Sequence, residues 1–149
     1  MNASEISEFL GACFEARRIV DLMPKLPKQM KPSHIHVIDI ICQLQRENGT
    51  VRISDIGNRL HITNPSITRI VSELVDMKAV RKVQSRDDRR VFTVSLTAQG
   101  MKYYRKYIEE YHDAVAEKLA GVDSRDMNTA IRVIREAYGI MSNGKTMIG

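Results

Sequence analysis

Residues 53–97 change hydrophobic period once, sharply, and that change constrains the fold more than any other feature of the chain. Up to Lys78 the apolar residues recur at helical spacing: Ile56 and Leu60, then Ile67, Ile70, Val71, Leu74 and Val75. From Val80 the pattern gives way to Val80, Lys82 and Gln84, a polar run Ser85–Arg90, and the β-branched stretch Val91-Phe92-Thr93-Val94-Ser95-Leu96. The spacing predicts a brief helix capped by Ser54, a turn at His61-Ile62, and a second helix to about Lys78. Thr63 or Asn64 would cap the second helix, with Pro65 in its first turn, where a missing N–H costs nothing. Two strands joined by a charged loop then form a hairpin.

The flanks read as helix. Ile6, Phe9, Leu10, Cys13, Phe14 and Val20 lie on one stripe, which ends before Pro24 and Pro27. Ser33 is placed as the N-cap of the next helix, whose stripe is Ile35, Ile38, Ile41 and Leu44, and Glu47-Asn48-Gly49 ends it. Thr50-Val51-Arg52-Ile53 reads as a short extended piece. After Thr97 a long helix carries Met101, Tyr104, Ile108, Tyr111, Val115 and Leu119 in near-heptad steps. Gly121 and Asp123-Ser124 interrupt it, and a last helix carries Met127, Ile131, Ile134 and Tyr138. The stretch Asn143-Gly144-Lys145 is expected to fray. The fold class is therefore mainly α, with a small β-hairpin. The terminal helices carry more apolar surface than one small core can use, and a two-fold homodimer is the simplest use for it.

Charge narrows the partner. The 149-residue chain has a formal net charge of +5, unevenly spread. Residues 1–30 balance Arg17, Arg18, Lys25 and Lys28 against Glu5, Glu8, Glu15 and Asp21. Residues 81–90 set Arg81, Lys82, Arg86, Arg89 and Arg90 against only Asp87 and Asp88. Such a cluster suits a polyphosphate partner, because each neutralised phosphate releases counterions. A helix after a tight turn can enter a major groove with its N-terminal side chains at base edges. Those side chains are Asn64, Ser66, Thr68 and Arg69, with Ser72 a turn further on. Arg86, Arg89 and Arg90 at the hairpin tip suit an adjacent narrow minor groove, and Asp88 can hold Arg90 in one orientation.

Other chemistries find no support. There is no Gly-rich phosphate loop, nucleophile elbow or placed carboxylate pair, which argues against an enzyme. His34, His36, His61 and His112 form no i, i+4 pair, and Cys13 and Cys42 stand far apart, so neither a metal site nor a cofactor is expected. No segment is apolar and long enough to span a bilayer and no signal peptide is visible, which predicts a cytoplasmic protein.

On the run Ser66-Ile67-Thr68-Arg69 and the stretch Asp88 to Gly100, DRRVFTVSLTAQG, the chain resembles the MarR family of winged helix-turn-helix regulators over nearly its whole length. Asp88, Arg90, Leu96, Thr97 and Gly100 match the family's wing pattern. Ser85 departs from it, standing where the family often has Asp, which implies a looser wing tip. The resemblance implies one MarR-like domain over 1–149, with a DNA-binding winged helix at 33–97 and dimerisation helices at 1–30 and 98–142. It implies a sequence-specific transcription regulator, a repressor, that binds a pseudo-palindromic operator in double-stranded DNA as a homodimer. It further implies release by a small phenolic or anionic effector, and candidate pocket residues are Phe14, Arg17, Arg18, His34 and His36. Two alternatives stand beside this: a peroxide- or thiol-responsive regulator using Cys13, and a winged-helix protein-interaction module without DNA. A buried, inert Cys13 and the arginine-rich wing weigh against them.

Overall fold

The stripe in residues 33–48 forms the central helix of the molecule. The computed structural model describes residues 1–143; of the stretch expected to fray, Gly144 and Lys145 lie outside them. The chain divides into two compact units, Met1–His112 and Asp113–Gly149.

In the first unit α1 spans Ala3–Val20, α2 Pro32–Asn48, β1 Val51–Arg52, α3 Ile53–Leu60, α4 Asn64–Asp76, β2 Val80–Gln84, β3 Phe92–Leu96 and α5 Ala98–Tyr104. A π-helical turn, Arg105–Glu109, follows α5 and leads into α6, Glu110–Lys118, within which the boundary between the two units falls. The sheet is antiparallel in the order β1-β3-β2, with Val51 opposite Val94 and Lys82 opposite the same Val94 on the other side. The extended piece read at residues 50–53 is thus a third strand that covers the free edge of β3. The fold is mainly α with a small winged sheet, as expected.

Helix α2 packs against α3, α4, α5 and the sheet. Ile38 and Ile41 from α2, Ile56 from α3, and Ile67 and Leu74 from α4 are fully buried together. Each such side chain contributes roughly 1.5–3 kcal/mol by leaving water, which is how a core without Trp is held. Helix α1 contrasts with this. Its capping box is complete, with Asn2 Oδ1 accepting from the Glu5 amide at 3.0 Å and Glu5 accepting from the Asn2 amide at 2.6 Å. Yet no residue of α1 is buried, and Ile6, Leu10, Phe14, Ile19 and Val20 are exposed.

Three local expectations shift. Ser33 lies inside α2, and Lys31 is its N-cap; the Lys31 amide donates to Nδ1 of His34 at 2.9 Å, so a ring nitrogen replaces the expected hydroxyl. Ser54 likewise lies inside α3, whose N-cap amide, Arg52, donates to Asp55 Oδ2 at 2.9 Å. The long helix keeps Tyr104 and Ile108 buried but adds Tyr107, and leaves Leu119 exposed. The π-helical turn inserts an extra residue, so the heptad stripe slips by one position there.

Gly100 shows why the wing-to-helix junction needs glycine. A Cβ built there would lie 2.0 Å from the Ala79 carbonyl oxygen. Thr97 locks the same corner: its amide donates to Ala79 O at 3.0 Å, its hydroxyl to Lys78 O, and its Oγ1 accepts from the Gly100 amide at 3.1 Å.

In the second unit α7 spans Ser124–Ser142, capped by Asp123 through Oδ1 to the Arg125 amide at 2.7 Å. Met127, Ile131, Ile134, Tyr138, Ile140 and Met141 on this helix are exposed.

Candidate nucleic-acid interface

The turn between α3 and α4 is built from small and left-handed residues. His61 adopts φ 53°, ψ 41° and ends α3. The Ile62 amide donates to Gly57 O at 3.0 Å, and a Cβ on Gly57 would sit 3.2 Å from Ile62 O. A larger residue at Gly57 would push the turn away from α3. Thr63 is the N-cap of α4; its hydroxyl donates to Ser66 Oγ at 3.1 Å and accepts no amide of the first turn. Ile67, Ile70, Val71 and Leu74 face the core. Asn64, Thr68, Arg69 and Ser72 are exposed, and Ser66 is half-buried. Val75, expected on the inner stripe, is exposed at the end of it.

The hairpin tip is ordered by its own hydrogen bonds. The Ser85 amide donates to Val91 O at 2.8 Å and the Val91 amide to Asp88 O at 2.9 Å. Gln84 Nε2 donates to Arg89 O at 2.7 Å. Ser85 Oγ accepts from the Asp87 amide at 3.3 Å and the Asp88 amide at 3.5 Å. The Ser85 hydroxyl thus accepts two long hydrogen bonds from the turn that follows it.

Asp88 holds Arg90 by three contacts. Oδ1 accepts from the Arg90 amide at 3.0 Å and from its Nε at 3.1 Å, and Oδ2 accepts from a terminal guanidinium nitrogen at 3.1 Å. The side-chain and then the backbone hydrogen bonds of Arg90 hold the Asp88 carboxyl below its ordinary range, so it is ionised at neutral pH. The Arg90 side chain is 91% exposed. A guanidinium is thus held in a fixed plane while facing solvent, which is the arrangement a groove-entering arginine needs. Arg86 and Arg89 are exposed beside it.

Helix α4 and the wing share a cleft of about 330 Å³ lined by Arg52, Ser54, Asn64, Thr68, Lys82 and Arg90, among others. Asn64, Thr68 and Arg90 were expected at the site; Arg52, Ser54 and Lys82 were not. The Lys82 ammonium sits 4.4 Å above the Phe92 ring, which steadies it at the cleft wall. Lys82 was visible as one of a basic cluster, but only the strand register assigns it to this wall.

The candidate effector residues are not brought together in any described cavity. Phe14 is 71% exposed on α1, Arg17 and Arg18 are exposed in its last turn, and His36 is exposed on α2. His34 is buried and lines a separate cavity of about 210 Å³ with Gln29, Lys31, Glu73, Asp76 and Met77. Cys13 is half-buried and Cys42 buried, both as free thiols. Among the described residues no three His, Cys, Asp or Glu side chains cluster as metal ligands, and no helix is long and apolar enough to cross a membrane.

Comparison with known proteins agrees with this architecture. The model of the MarR family matches residues 32–92. The HTH-type transcriptional regulator FarR of Neisseria gonorrhoeae is 33% identical over 82 residues, 53% of this chain and 56% of FarR, so the chain spans about half the length of that relative. Streptococcus pneumoniae FabT, solved in complex with DNA, superposes with a TM-score of 0.67 at 22% identity, over 97% of this chain and 100% of FabT. The PcaV transcriptional regulator from Streptomyces coelicolor, solved with its natural ligand, superposes with a TM-score of 0.67 at 16% identity, over 93% of each chain. At these identities the two structures speak to the fold alone. The MarR family model thus falls on the winged helix-turn-helix of this chain, residues 32–92, and the fold of the two solved structures extends over nearly its whole length.

Proposed function

We propose that this protein is a sequence-specific DNA-binding transcription regulator, a repressor, that grips a pseudo-palindromic operator as a homodimer. The observation that carries the reading is the Asp88–Arg90 clamp at the wing tip, which shares a basic cleft with the polar start of α4. In this reading α4 enters the major groove, with Asn64, Ser66, Thr68, Arg69 and Ser72 toward base edges and phosphates. The wing places Arg90 in the flanking minor groove, with Arg86 and Arg89 on the backbone. Arg52 and Lys82 add phosphate contacts from the cleft wall. FabT, which has this fold, was solved with DNA.

The dimer is supported by the exposed apolar residues of α1 and, separately, of α7, since an apolar stripe of that length is not left in water by a stable monomer. The winged-helix region at 33–97 and the dimerisation helices at 1–30 and 98–142 then serve one two-fold assembly. Half-sites should lie about 34–36 Å apart, one helical turn. A small phenolic or anionic effector would release the DNA by binding more tightly to dimers whose half-site spacing is wrong; PcaV, with the same fold, was solved with its natural ligand.

The test is binding to genomic fragments at several salt concentrations. A subset of fragments should be retained as salt rises, and Arg90→Ala should weaken their binding at least about tenfold. Retention of all fragments alike would overturn sequence specificity. Unchanged affinity in Arg90→Ala would overturn the role of the wing.

A further inference from the structure

Glu73 lies one turn after Arg69 on α4, and both of its carboxylate oxygens are engaged by donors. Oε1 accepts from a terminal guanidinium nitrogen of Arg69 at 3.0 Å. Oε2 faces His34 Nε2 at 2.5 Å. His34 is only 1% exposed. Its other ring nitrogen, Nδ1, accepts the Lys31 amide at the start of α2. An acceptor at Nδ1 places the ring proton on Nε2, so the neutral imidazole donates to Glu73. The sequence gives no hint of this, because His34 and Glu73 are 39 positions apart.

The consequence concerns Arg69. An ordinary i, i+4 ion pair on a helix surface orients little, because both long side chains remain free to move. Here the carboxylate is tied to a buried ring, and the ring to the first turn of another helix. The hydrogen bond from His34 is also the main reason the Glu73 carboxyl stays below its ordinary range. The Arg69 guanidinium is therefore held on one side by a fixed acceptor, while its remaining N–H donors face solvent; the side chain is 62% exposed. The carboxylate also repels a phosphate that approaches Arg69, but not an uncharged base edge.

We propose that Glu73 and His34 are positioning residues that aim Arg69 at a base pair and keep it off the DNA backbone, so that they set specificity at one position of each half-site. This rests on the DNA-binding reading above. A carboxylate is required because both of its partners are donors: glutamine at this position offers one acceptor oxygen and turns an N–H₂ toward the other donor. Removing the negative charge also favours phosphate contacts, so the expected effect has two signs. Non-specific affinity rises while discrimination falls, whereas structural damage to α4 would lower both.

The experiment selects duplexes from a randomised library with the wild-type protein, Glu73→Gln, Glu73→Ala and Arg69→Ala in parallel. Melting temperature and circular dichroism are recorded for each. The wild type should enrich a two-fold sequence. Both Glu73 variants should lose the preference at one base pair per half-site, by about tenfold, and keep the others. Arg69→Ala should lose the same pair, and Glu73→Gln in the Arg69→Ala background should change nothing further there. Affinity of the Glu73 variants for an unrelated duplex should rise. An unchanged preference in both Glu73 variants, or an equal loss at every position, would overturn the positioning role while leaving DNA recognition intact. Failure of the wild type to enrich any sequence would overturn both.

Discussion

Replacing Arg52 with Gln should change how DNA binding responds to salt without changing which sequence is bound. Arg52 lines the cleft between α4 and the wing, and its side chain is exposed. Capping of α3 uses its backbone amide and Asp55, not its guanidinium, so the substitution leaves the helix start intact. Each chain offers five cationic side chains here: Arg52, Lys82 and Arg90 line the cleft, and Arg86 and Arg89 are exposed at the wing tip. If each of the ten in a dimer neutralises one phosphate, log K should fall with log salt at a slope of about −9. Removing Arg52 from both chains takes away two contacts and brings the slope to about −7. Between about 50 and 200 mM salt the wild type should then lose roughly 10⁵-fold in affinity and the variant roughly 10⁴-fold. Fluorescence anisotropy on the duplex selected by the wild type measures both slopes. An unchanged slope would refute a phosphate contact from Arg52, and a changed base preference would make it a base reader instead.

Three further outcomes follow from the same geometry. Gly100→Ala forces a Cβ to 2.0 Å from a buried backbone carbonyl and should cost roughly 3 kcal/mol or more of unfolding free energy; a loss under about 1 kcal/mol in urea denaturation would contradict the close approach. Ile134→Glu on α7 should dissociate the dimer in analytical ultracentrifugation, weakening it about a hundredfold or more because each chain loses one buried isoleucine of roughly 1.5–3 kcal/mol; a dimer of undiminished affinity would place the interface elsewhere. Arg59 donates to Glu47 at 2.7 Å and holds its carboxyl below the ordinary value near 4.5. A carboxyl depressed by folding stabilises above its unfolded value and loses that contribution as pH falls through the folded one. The melting-temperature advantage of the wild type over Glu47→Gln should therefore be present near pH 7 and decline only as pH falls below the ordinary value near 4.5; no advantage at pH 7 would show that the pair contributes nothing.

Much of this was legible in the sequence because it depends on neighbours. Pro65 after Thr63 marks the start of α4, the β-branched run marks β3, and Asp88 lies two residues from the arginine it holds. What stayed hidden depends on pairs distant in the chain. The two-residue strand β1 is too short to show alternation, so its place beside β3, and with it the position of Arg52 at the cleft, needs the register. His34 reads as a surface or pocket histidine; nothing local reveals that it caps α2 with one nitrogen and anchors Glu73 with the other. The π-helical turn leaves no mark in the apolar spacing, so the long helix was assigned a regular seam that its packing does not follow.

Hydroxyl-radical footprinting of the wild-type protein on its selected duplex tests the central claim most directly. The account predicts two protected patches related by two-fold symmetry and centred about 34–36 Å apart, with minor-groove protection where the wings enter, and loss of that protection alone in Arg90→Ala. A single patch, or uniform weak protection along the duplex, would contradict it.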